Sequence, residues 1–236
     1  MIGKSKPSIS FVIPCLNEVA AVSPVLQRVI SVTSQPNFLE CFSSCEIIVV
    51  DDGSTDGSID KVSEFKSVKL IRHQANLGYG AALKTGFKLS TGDFITFLDM
   101  DASYDPDSII SLYSALKDDN LDMIFGCRFQ PSSKMPFVRK IGNLAFTWIL
   151  RQLFTTSITD VCTGFRVFKK SLVPQITAID EKGLNFSIAL TLLAMKDNWR
   201  IDQRYIPYLE REGRSKLNVV KDGFAFASVI FRKSKA

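Results

Sequence analysis

The sequence has very little histidine, and this scarcity limits the metal chemistry that it can support. His73 is the only histidine among the 236 residues. A single imidazole cannot build a histidine-based metal centre, so we expect a structural role for it. The five cysteines are odd in number, and their spacings do not match two zinc-binding pairs. We therefore expect reduced thiols in a cytosolic protein, several of them buried.

Long apolar runs are missing as well. The sequence contains no run of about 18 apolar residues, so it predicts no transmembrane helix. Its first residues, MIGKSKPS, lead directly into a predicted strand, and we expect no secretory signal. The 29 lysines and arginines against 24 aspartates and glutamates give a net charge of +5. This balance suits an anionic ligand or an anionic membrane surface, and it is too small to indicate binding to nucleic acid.

A regular alternation of strand and helix patterns fills the first half of the chain. Segments with the pattern of a strand, most of them apolar, occur at 9–14, 46–50, 68–72, 94–98 and 123–127. Helical periodicity occupies 22–32, 58–66, 80–90 and 106–117, whereas the polar segment 34–44 is predicted to be a loop. Because such alternation pairs strands in parallel, we predict an α/β fold with a Rossmann-like, mainly parallel central sheet and helices on both faces. We find no linker and predict one domain over residues 1–236.

The second half of the chain carries a different pattern. It predicts helices at 134–154, 184–196 and 218–231, strands within 160–168 and 200–209, and a basic loop at 211–217. The first and last of these helices mix aromatic with basic residues, as helices in a membrane interface do. Core packing with a solvated outer face is the alternative for both helices.

Two acidic pairs stand at the ends of predicted strands. Asp51 and Asp52 follow the second strand, and Asp99 and Asp101 follow the fourth. Because the carboxyl ends of parallel strands share one edge of a sheet, we expect both pairs in one crevice. Carboxylates at such an edge bind Mg²⁺ or Mn²⁺ together with substrate phosphates, which predicts a metal–diphosphate site at Asp99 and Asp101. A polar turn, or capping of the next helix, is the alternative.

Seven sequence blocks together resemble the family-two glycosyltransferases, which have a GT-A fold. They are VIPCLNE at 12–18, DDGSTDGS at 51–58, NLGYGAA at 76–82, DMD at 99–101, GCRF at 126–129, TGFR at 163–166 and GRSKL at 213–217. The last three are similar to the polyprenyl-phosphate branch, which includes the dolichol-phosphate mannosyltransferases. The resemblance implies a single GT-A domain, in which residues from about 8 to 130 bind a nucleotide sugar and those from about 131 to 236 bind the acceptor.

The resemblance also implies which residues bind the donor, a nucleotide-diphospho-sugar of the GDP-mannose or UDP-glucose type. The residues expected at the nucleotide sugar are Pro14, Leu16, Glu18, Val50, Asp51, Asp52, Asp99 and Met100. Asp101 and Ser103 would hold a divalent cation, Mg²⁺ or Mn²⁺. Such a cation would stabilise the charge that develops on the departing nucleoside diphosphate.

The acceptor implied by the resemblance is a polyprenyl phosphate, such as a dolichyl or undecaprenyl phosphate. A phosphate monoester is mostly dianionic at pH 7, so it needs positioning cations and no general base. The residues expected at this phosphate are Arg128, Arg139, Arg166, Arg211, Ser215 and Lys216. Arg128 and Lys216 are expected to be catalytic together with Asp99 and Asp101. Direct displacement would invert the anomeric configuration, and we expect a peripheral enzyme at the cytoplasmic face of a membrane.

Two other functions stay open at this point. Transfer to a glycan hydroxyl would need a general base, for which Glu181, Glu210 and Glu212 are available. A non-catalytic nucleotide-sugar-binding module would bind the donor without transfer. A dinucleotide-dependent dehydrogenase is disfavoured, because no Gly-x-Gly-x-x-Gly follows the first strand.

Overall fold

The computed structural model describes residues 5–130, 133–213 and 219–234. Within these ranges the strands are β1 (Ser8–Cys15), β2 (Ser44–Asp51), β3 (Val68–Arg72), β4 (Phe94–Phe97), β5 (Met123–Cys127), β6 (Arg166–Lys169) and β7 (Ile201–Tyr205). The helices are α1 (Val19–Thr33), α2 (Pro36–Cys41), α3 (Ser58–Ser63), α4 (Tyr79–Leu89), α5 (Ser108–Asp118), α6 (Phe137–Leu153), α7 (Val173–Thr177), α8 (Phe186–Lys196) and α9 (Val219–Ser234). A 3₁₀ turn, Lys170–Leu172, precedes α7.

The strands of the described residues form one sheet in the order β3-β2-β1-β4-β6-β5-β7. The prediction of a mainly parallel sheet is confirmed, since all pairings are parallel except those of β6 with β4 and β5. Because β6 runs antiparallel, its first residue, Arg166, pairs with Phe97 at the end of β4. Residues 160–165, which precede β6, therefore lie at the carboxyl edge of the sheet beside the ends of β4 and β5.

Apolar side chains leave the sheet on both faces. In β1, Phe11 and Ile13 pack into one core with α1, α2 and α5, and Val12 packs into the other with α4 and α8. This alternation follows from the two-residue period of a strand. Helices therefore cover both faces of the sheet, as the sequence predicts. Among the described residues, no helix has the length and apolar character required to cross a bilayer.

The last helices form an extra layer over one face. Helix α8 is buried on nearly all sides, because it contacts α4, α9 and, through Arg166 of β6, the sheet. Helix α9 also packs on α6, where the rings of Phe146 and Phe226 are 5.6 Å apart. These contacts bring the C-terminal helix to the carboxyl edge of the sheet.

The polar segment 34–44 is not a loop throughout, since Pro36–Cys41 is helical. Pro36 suits the first turn of a helix, where its missing N–H is not needed. Phe38 is buried, with its ring 4.8 Å from that of Phe42. Two buried aromatic side chains thus fix a helix that its otherwise polar composition does not indicate.

Candidate active site

A cavity of about 520 Å³ opens at the carboxyl edge of the sheet, between the ends of β1 and β4 and helices α6 and α9. Most of the residues expected from the sequence line it. They are Pro14, Leu16, Glu18, Asp52, Asp99, Met100, Asp101, Ser103, Arg128, Arg139 and Arg211. One aspartate of the first acidic pair and both of the second therefore share one crevice.

Asp52 builds the wall of this cavity by holding the loop that enters α4. Its carboxylate accepts hydrogen bonds from the backbone N–H of Leu77 at 3.0 Å and of Gly78 at 2.8 Å, and lies 2.7 Å from Nδ1 of His73. The other ring nitrogen of His73 lies 3.0 Å from the hydroxyl of Thr85. The single histidine thus has the structural role expected of it.

Two backbone N–H groups at the start of α4 are hydrogen-bonded within the protein. The backbone N–H groups of Gly80 and Ala81 donate to the carbonyl oxygen of Lys182 at 2.6 and 3.2 Å. Gly78 has a φ of +103°, and a Cβ there would lie 2.4 Å from the same carbonyl oxygen, so only glycine fits. This close contact joins the first half of the chain to the second beside the cavity.

Asp51 and Val50 lie away from the main cavity. The Asp51 carboxylate accepts hydrogen bonds from the backbone N–H of Gly53 at 3.2 Å and of Ser54 at 3.1 Å, which is the turn arrangement weighed as the alternative. Asp51 lines a smaller, separate pocket. Val50 is fully buried against α4. Neither residue lines the main cavity, although the donor-binding role expected for each of them requires it.

Asp99 lies at the end of β4 with its carboxylate facing the cavity. The hydroxyl of Tyr79 donates to Asp99 Oδ1 at 2.8 Å. Loss of contact with water, and then the neighbouring Asp101 carboxylate, raise the pKa of Asp99 to about 7. Gly164 passes close by, and a Cβ at Gly164 would lie 2.9 Å from Asp99 Oδ2. The glycine before β6 therefore makes room for this carboxylate.

Asp101 is buried and has both carboxylate oxygens engaged. Oδ1 accepts from the backbone N–H of Ser103 at 3.0 Å and from its hydroxyl at 2.5 Å, and Oδ2 accepts from Arg211 Nη1 at 2.7 Å. Ala102, between them, has a φ of +60°, a region that alanine rarely adopts. Such backbone strain is typical of functional sites, where the surrounding structure enforces it.

The oxygen atoms at Asp101 fit a hard divalent cation. A buried carboxylate and the Ser103 hydroxyl are the kind of ligand that Mg²⁺ and Mn²⁺ take, usually alongside substrate phosphates. Within the described part of the chain, no three His, Cys, Asp or Glu side chains form a metal-binding group. The fit therefore rests on the donor atoms of Asp101 and Ser103 together with those of a diphosphate.

Arg211 links Asp101 to Glu18 across the mouth of the cavity. Its Nη2 donates to Glu18 Oε1 at 2.5 Å, while Nη1 holds Asp101. The segment that carries it follows the turn after β4, because the N–H of Leu209 donates to Ser103 O and that of Glu212 to Asp101 O, both at 2.9 Å. The sequence gives no signal for this ion pair, since Arg211 and Asp101 are 110 residues apart.

Arg128, at the end of β5, is held rigidly in the cavity wall. Its Nε and Nη2 donate to the two oxygens of Asp160, each at 2.7 Å, and Nη1 donates to the Tyr104 hydroxyl at 3.2 Å. The rings of Tyr104 and Tyr208 lie 5.8 and 5.6 Å from the guanidinium carbon. Burial alone would lower the pKa of Arg128, but the Asp160 carboxylate raises it well above its usual value.

Asp160 is fully buried and is the counter-ion of Arg128. It also accepts hydrogen bonds from the backbone N–H of Arg128 at 3.0 Å and from the side-chain amide of Asn143. Sequence reasoning missed it, although it stands three residues before the TGFR block. Other cavity residues missed from the sequence are Tyr79, Tyr104, Asn143, Tyr208, Asp222 and Phe226. Tyrosine and asparagine occur in too many settings for these to stand out in a single sequence.

The remaining arginines expected at the acceptor phosphate separate into two groups. Arg139 lines the cavity from α6. Arg166 is fully buried, donates to the backbone carbonyls of Thr163, Val161 and Ser187, and lies 4.3 Å from the ring centroid of Phe125. Burial lowers its pKa to about 10. Arg166 therefore supports the backbone behind the cavity instead of facing it. Ser215 and Lys216 lie outside the described residues.

Residues 10–177 match the profile of Glycosyl transferase family 2. A dolichol-phosphate mannosyltransferase of Mycosarcoma maydis is 30% identical over 91% of this chain and 75% of its own. An undecaprenyl-phosphate mannosyltransferase of Micrococcus luteus is 28% identical over 88% of this chain and 86% of its own. The low-salt glycan biosynthesis hexosyltransferase Agl6 of Haloferax volcanii is 26% identical over 92% of this chain, which spans only 52% of that relative.

The fold has solved counterparts. Glucosyl-3-phosphoglycerate synthase from Mycobacterium tuberculosis, in complex with Mn²⁺, UDP and glucosyl-3-phosphoglycerate, matches 97% of this chain and 80% of its own with a TM-score of 0.77. At 17% identity this likeness concerns the fold, and the predicted GT-A fold is confirmed. Because the family profile covers well over half of the chain and relatives up to 30% identical span about nine-tenths of it, the chain belongs to glycosyl transferase family 2.

Proposed function

We propose that the protein transfers a sugar from a nucleotide-diphospho-sugar to a polyprenyl phosphate, with inversion at the anomeric carbon and with the help of Mg²⁺ or Mn²⁺. One observation carries this proposal: the carboxylates of Asp99 and Asp101 share a cavity with the fixed guanidinium of Arg128. Family membership and relatives named as polyprenyl-phosphate mannosyltransferases support the same reaction class.

The donor occupies the β1–β4 side of the cavity in this proposal. Pro14, Leu16 and Glu18, on the turn after β1, face the nucleoside, and Asp52 holds the wall beside it. Asp101 and Ser103 would hold a divalent cation, which would supply positive charge to the leaving diphosphate. Asp99 lies where its carboxylate can accept hydrogen bonds from hydroxyl groups of the donor. A GDP-mannose or UDP-glucose type of donor fits this arrangement.

The acceptor phosphate lies against Arg128 and Arg139. A dianionic phosphate is already a nucleophile, so the protein needs only to hold it in line with the anomeric carbon. Asp160 engages Nε and Nη2 of Arg128, which directs Nη1 and its neighbour Tyr104 toward the cavity. A rigid guanidinium of this kind limits the orientations of a bound phosphate.

An apolar surface on α6 and α9 suits the lipid part of such an acceptor. Phe137 and Trp148 of α6 are 74% and 65% exposed, and Phe224 of α9 is 75% exposed. The packed pair Phe146 and Phe226, between the two helices, also lines the cavity. We propose that this α6–α9 face rests on the cytoplasmic surface of a membrane while the polyprenyl chain leaves the cavity along it.

A hydroxyl acceptor is less well served by the cavity. It needs a general base, yet Glu181, Glu210 and Glu212 are absent from the cavity lining. Glu181 pairs with Arg232, and Glu210 lies 3.7 Å from Lys134 on the surface. Asp222 of α9 does line the cavity and is the carboxylate to test for this alternative. An Asp222→Asn variant that retains polyprenyl-phosphate transfer would agree with the phosphate acceptor.

A transfer assay tests the proposal. The protein is incubated with Mn²⁺ or Mg²⁺, UDP- and GDP-sugars and a short polyprenyl phosphate, next to Asp101→Ala and the surface control Asp119→Ala. We expect metal-dependent glycosylation of the lipid phosphate that is lost only in Asp101→Ala, with an inverted anomer by NMR. Donor hydrolysis without lipid transfer would contradict the acceptor assignment. Donor binding with neither reaction would indicate a binding module, and a retained anomer would contradict direct displacement.

A further inference from the structure

The ion pairs of Arg211 are at odds with the roles of its partners in the proposed reaction. Arg211 is mostly buried and donates to Asp101 and Glu18, whose carboxylates line the cavity. In the proposed function, Asp101 holds a divalent cation. The structure therefore shows a guanidinium at the carboxylate where that cation is expected.

A guanidinium and a divalent cation at the same Asp101 oxygen would repel each other. Asp101 Oδ1 is taken by the backbone N–H and hydroxyl of Ser103, and Oδ2 is taken by Arg211. A cation that bound Oδ2 would lie within a few ångströms of the Arg211 charge, and like charges at that distance repel strongly in a partly buried site. A cation at Oδ2 would therefore compete with the guanidinium for this carboxylate.

The backbone around Arg211 is held to the turn after β4. The N–H groups of Leu209 and Glu212, on either side of Arg211, donate to the carbonyl oxygens of Ser103 and Asp101. These bonds fix the Cα of Arg211 at the mouth of the cavity. The flexible arginine side chain can then swing from the carboxylates to phosphate groups in the same cavity, for which its planar donors are well suited.

We propose that Arg211 is an exchangeable counter-ion: it neutralises Asp101 and Glu18 in the metal-free protein, and a divalent cation at Asp101 releases it toward the phosphates of the substrates. The inference rests on the metal site of the proposed function and adds to it a competition between two cations. Because such coupling is reciprocal, each cation lowers the affinity of the other for Asp101.

Mn²⁺ binding without donor or acceptor tests this competition. Free Mn²⁺ is followed by electron paramagnetic resonance during titration of the wild type, Arg211→Met and Arg139→Met. The last variant removes the same charge from the same cavity at a position on α6. We expect Arg211→Met to bind Mn²⁺ about tenfold more tightly than the wild type, the effect of losing one charged hydrogen bond. Arg139→Met is expected to change the affinity by less than about threefold, because the hydrogen bonds of the Asp101 carboxylate come from Ser103 and Arg211 and none comes from Arg139.

Two further variants locate the effect. Arg211→Met combined with Asp101→Asn is expected to lose the gain, since the carboxylate is gone. Arg211→Lys keeps the charge but cannot donate to Asp101 and Glu18 from two planar nitrogens, and we expect an intermediate Mn²⁺ affinity. Melting curves of each variant show whether it is folded, and Arg211→Lys keeps the test available if Arg211→Met is not.

Three results would overturn the inference. Unchanged or weaker Mn²⁺ binding in Arg211→Met would mean that the guanidinium does not compete. An equal gain in Mn²⁺ affinity in Arg139→Met would mean that the effect comes from the net charge of the cavity and not from the contact of Arg211 with Asp101. Nucleotide binding in EDTA that depends on Arg211 would make the guanidinium a permanent substitute for the metal. The transfer assay is independent of these titrations, so failure of the reaction and failure of the competition are distinguishable.

Discussion

At the scale of single residues, the most demanding arrangement is the buried pair of Arg128 and Asp160. Two ions that leave water lose a large hydration free energy, which their attraction and extra hydrogen bonds must offset. Asp160 meets this demand with four donors, from Arg128 backbone and side chain and from Asn143. The pair therefore has little freedom, and Arg128 presents one fixed edge to the cavity.

Replacement of Asp160 by asparagine keeps Arg128 but removes the carboxylate that orients it. The variant therefore tests whether the orientation of Arg128 matters for function. We expect a loss of about 3 kcal/mol in the free energy of unfolding, because a buried guanidinium loses its counter-ion. We also expect KM for the polyprenyl phosphate to rise while donor affinity is preserved. Urea unfolding and steady-state kinetics measure both, with Asp119→Asn as the surface control. Donor and acceptor affinities that fall together would contradict a specific role at the acceptor.

Gly164 offers a second test at this scale. In Gly164→Ala the new Cβ would lie 2.9 Å from Asp99 Oδ2, so the Asp99 carboxylate must move. We expect the donor to bind at least about tenfold more weakly, which corresponds to about 1.4 kcal/mol. Gly142→Ala is the matched control, because no atom lies within 4 Å of its added Cβ. Calorimetry with the nucleotide sugar measures both, and equal affinities in the two variants would contradict the steric argument.

At the scale of elements, the antiparallel strand β6 determines which residues of the second half lie at the active site. Its insertion between β4 and β5 brings Asp160 and Gly164 to the carboxyl edge, next to Asp99 and Arg128. Asp122, at the opposite edge, ties β5 to both of its neighbours. It accepts from Lys169, the last residue of β6, at 2.8 Å and from the Arg200 guanidinium before β7 at 2.9 and 3.1 Å.

The Asp122 cluster should make stability depend on pH. The hydrogen bonds from Arg200, and then Lys169, hold the pKa of Asp122 well below its usual range. A lowered pKa in the folded state adds stability above the unfolded pKa of about 3.9, and this contribution is lost as the pH falls toward the folded value. We expect Asp122→Asn to cost about 2 kcal/mol at pH 7 and less at pH 3. Urea unfolding at both pH values measures the difference, and an equal cost at both would contradict the assignment.

The α6–α9 face can be tested by exposed substitutions. We expect Trp148→Ser combined with Phe137→Ser to leave the free energy of unfolding nearly unchanged, because both side chains are largely exposed. Binding to vesicles that contain anionic lipids should fall severalfold, since apolar area and basic charge both contribute. Leu39→Ser on α2 is the control, as it removes an exposed apolar side chain far from α6 in sequence. Sedimentation with vesicles measures the effect, and equal binding by both variants would contradict the membrane face.

Much of the first half of the fold could be predicted from sequence, because buried parallel strands are continuous apolar runs. The run at 123–127 coincides with β5, in which every residue is buried, and the strand predicted at 68–72 coincides with the edge strand β3. The order of the strands and the direction of β6 could not be predicted, since both depend on contacts between distant segments. The same limit applies to the site: Asp99, Asp101 and Arg128 stand in recognisable blocks, whereas Asp160 and the Arg211 ion pairs become evident only in three dimensions.

At the scale of the whole molecule, the two halves of the chain meet at the cavity and close it together. Residues of the first half supply Asp52 and Asp101, and those of the second supply Arg139, Arg211 and the outer helix α9. The hydrogen bonds from the start of α4 to the carbonyl oxygen of Lys182 join the two halves beside the site. Ligands at this junction should therefore stabilise the molecule as one unit.

Ligand-dependent melting tests this expectation. We expect Mn²⁺ with UDP or GDP, at about 100 times Kd, to stabilise the protein by about 2.7 kcal/mol and to raise Tm by about 5–10 °C. EDTA or Asp101→Asn should abolish the shift, because the metal site is lost. Differential scanning calorimetry measures it, and a shift that persists in Asp101→Asn would place the metal elsewhere.

Helix α8 is apolar on nearly every side, and α9 forms the layer outside it. During synthesis on the ribosome, α8 emerges before the segment that covers it. The nascent chain therefore exposes an apolar helix until α9 has been translated. A truncation before residue 219 would make this temporary exposure permanent, and the product would be a client for chaperones and proteases even though its sheet is intact.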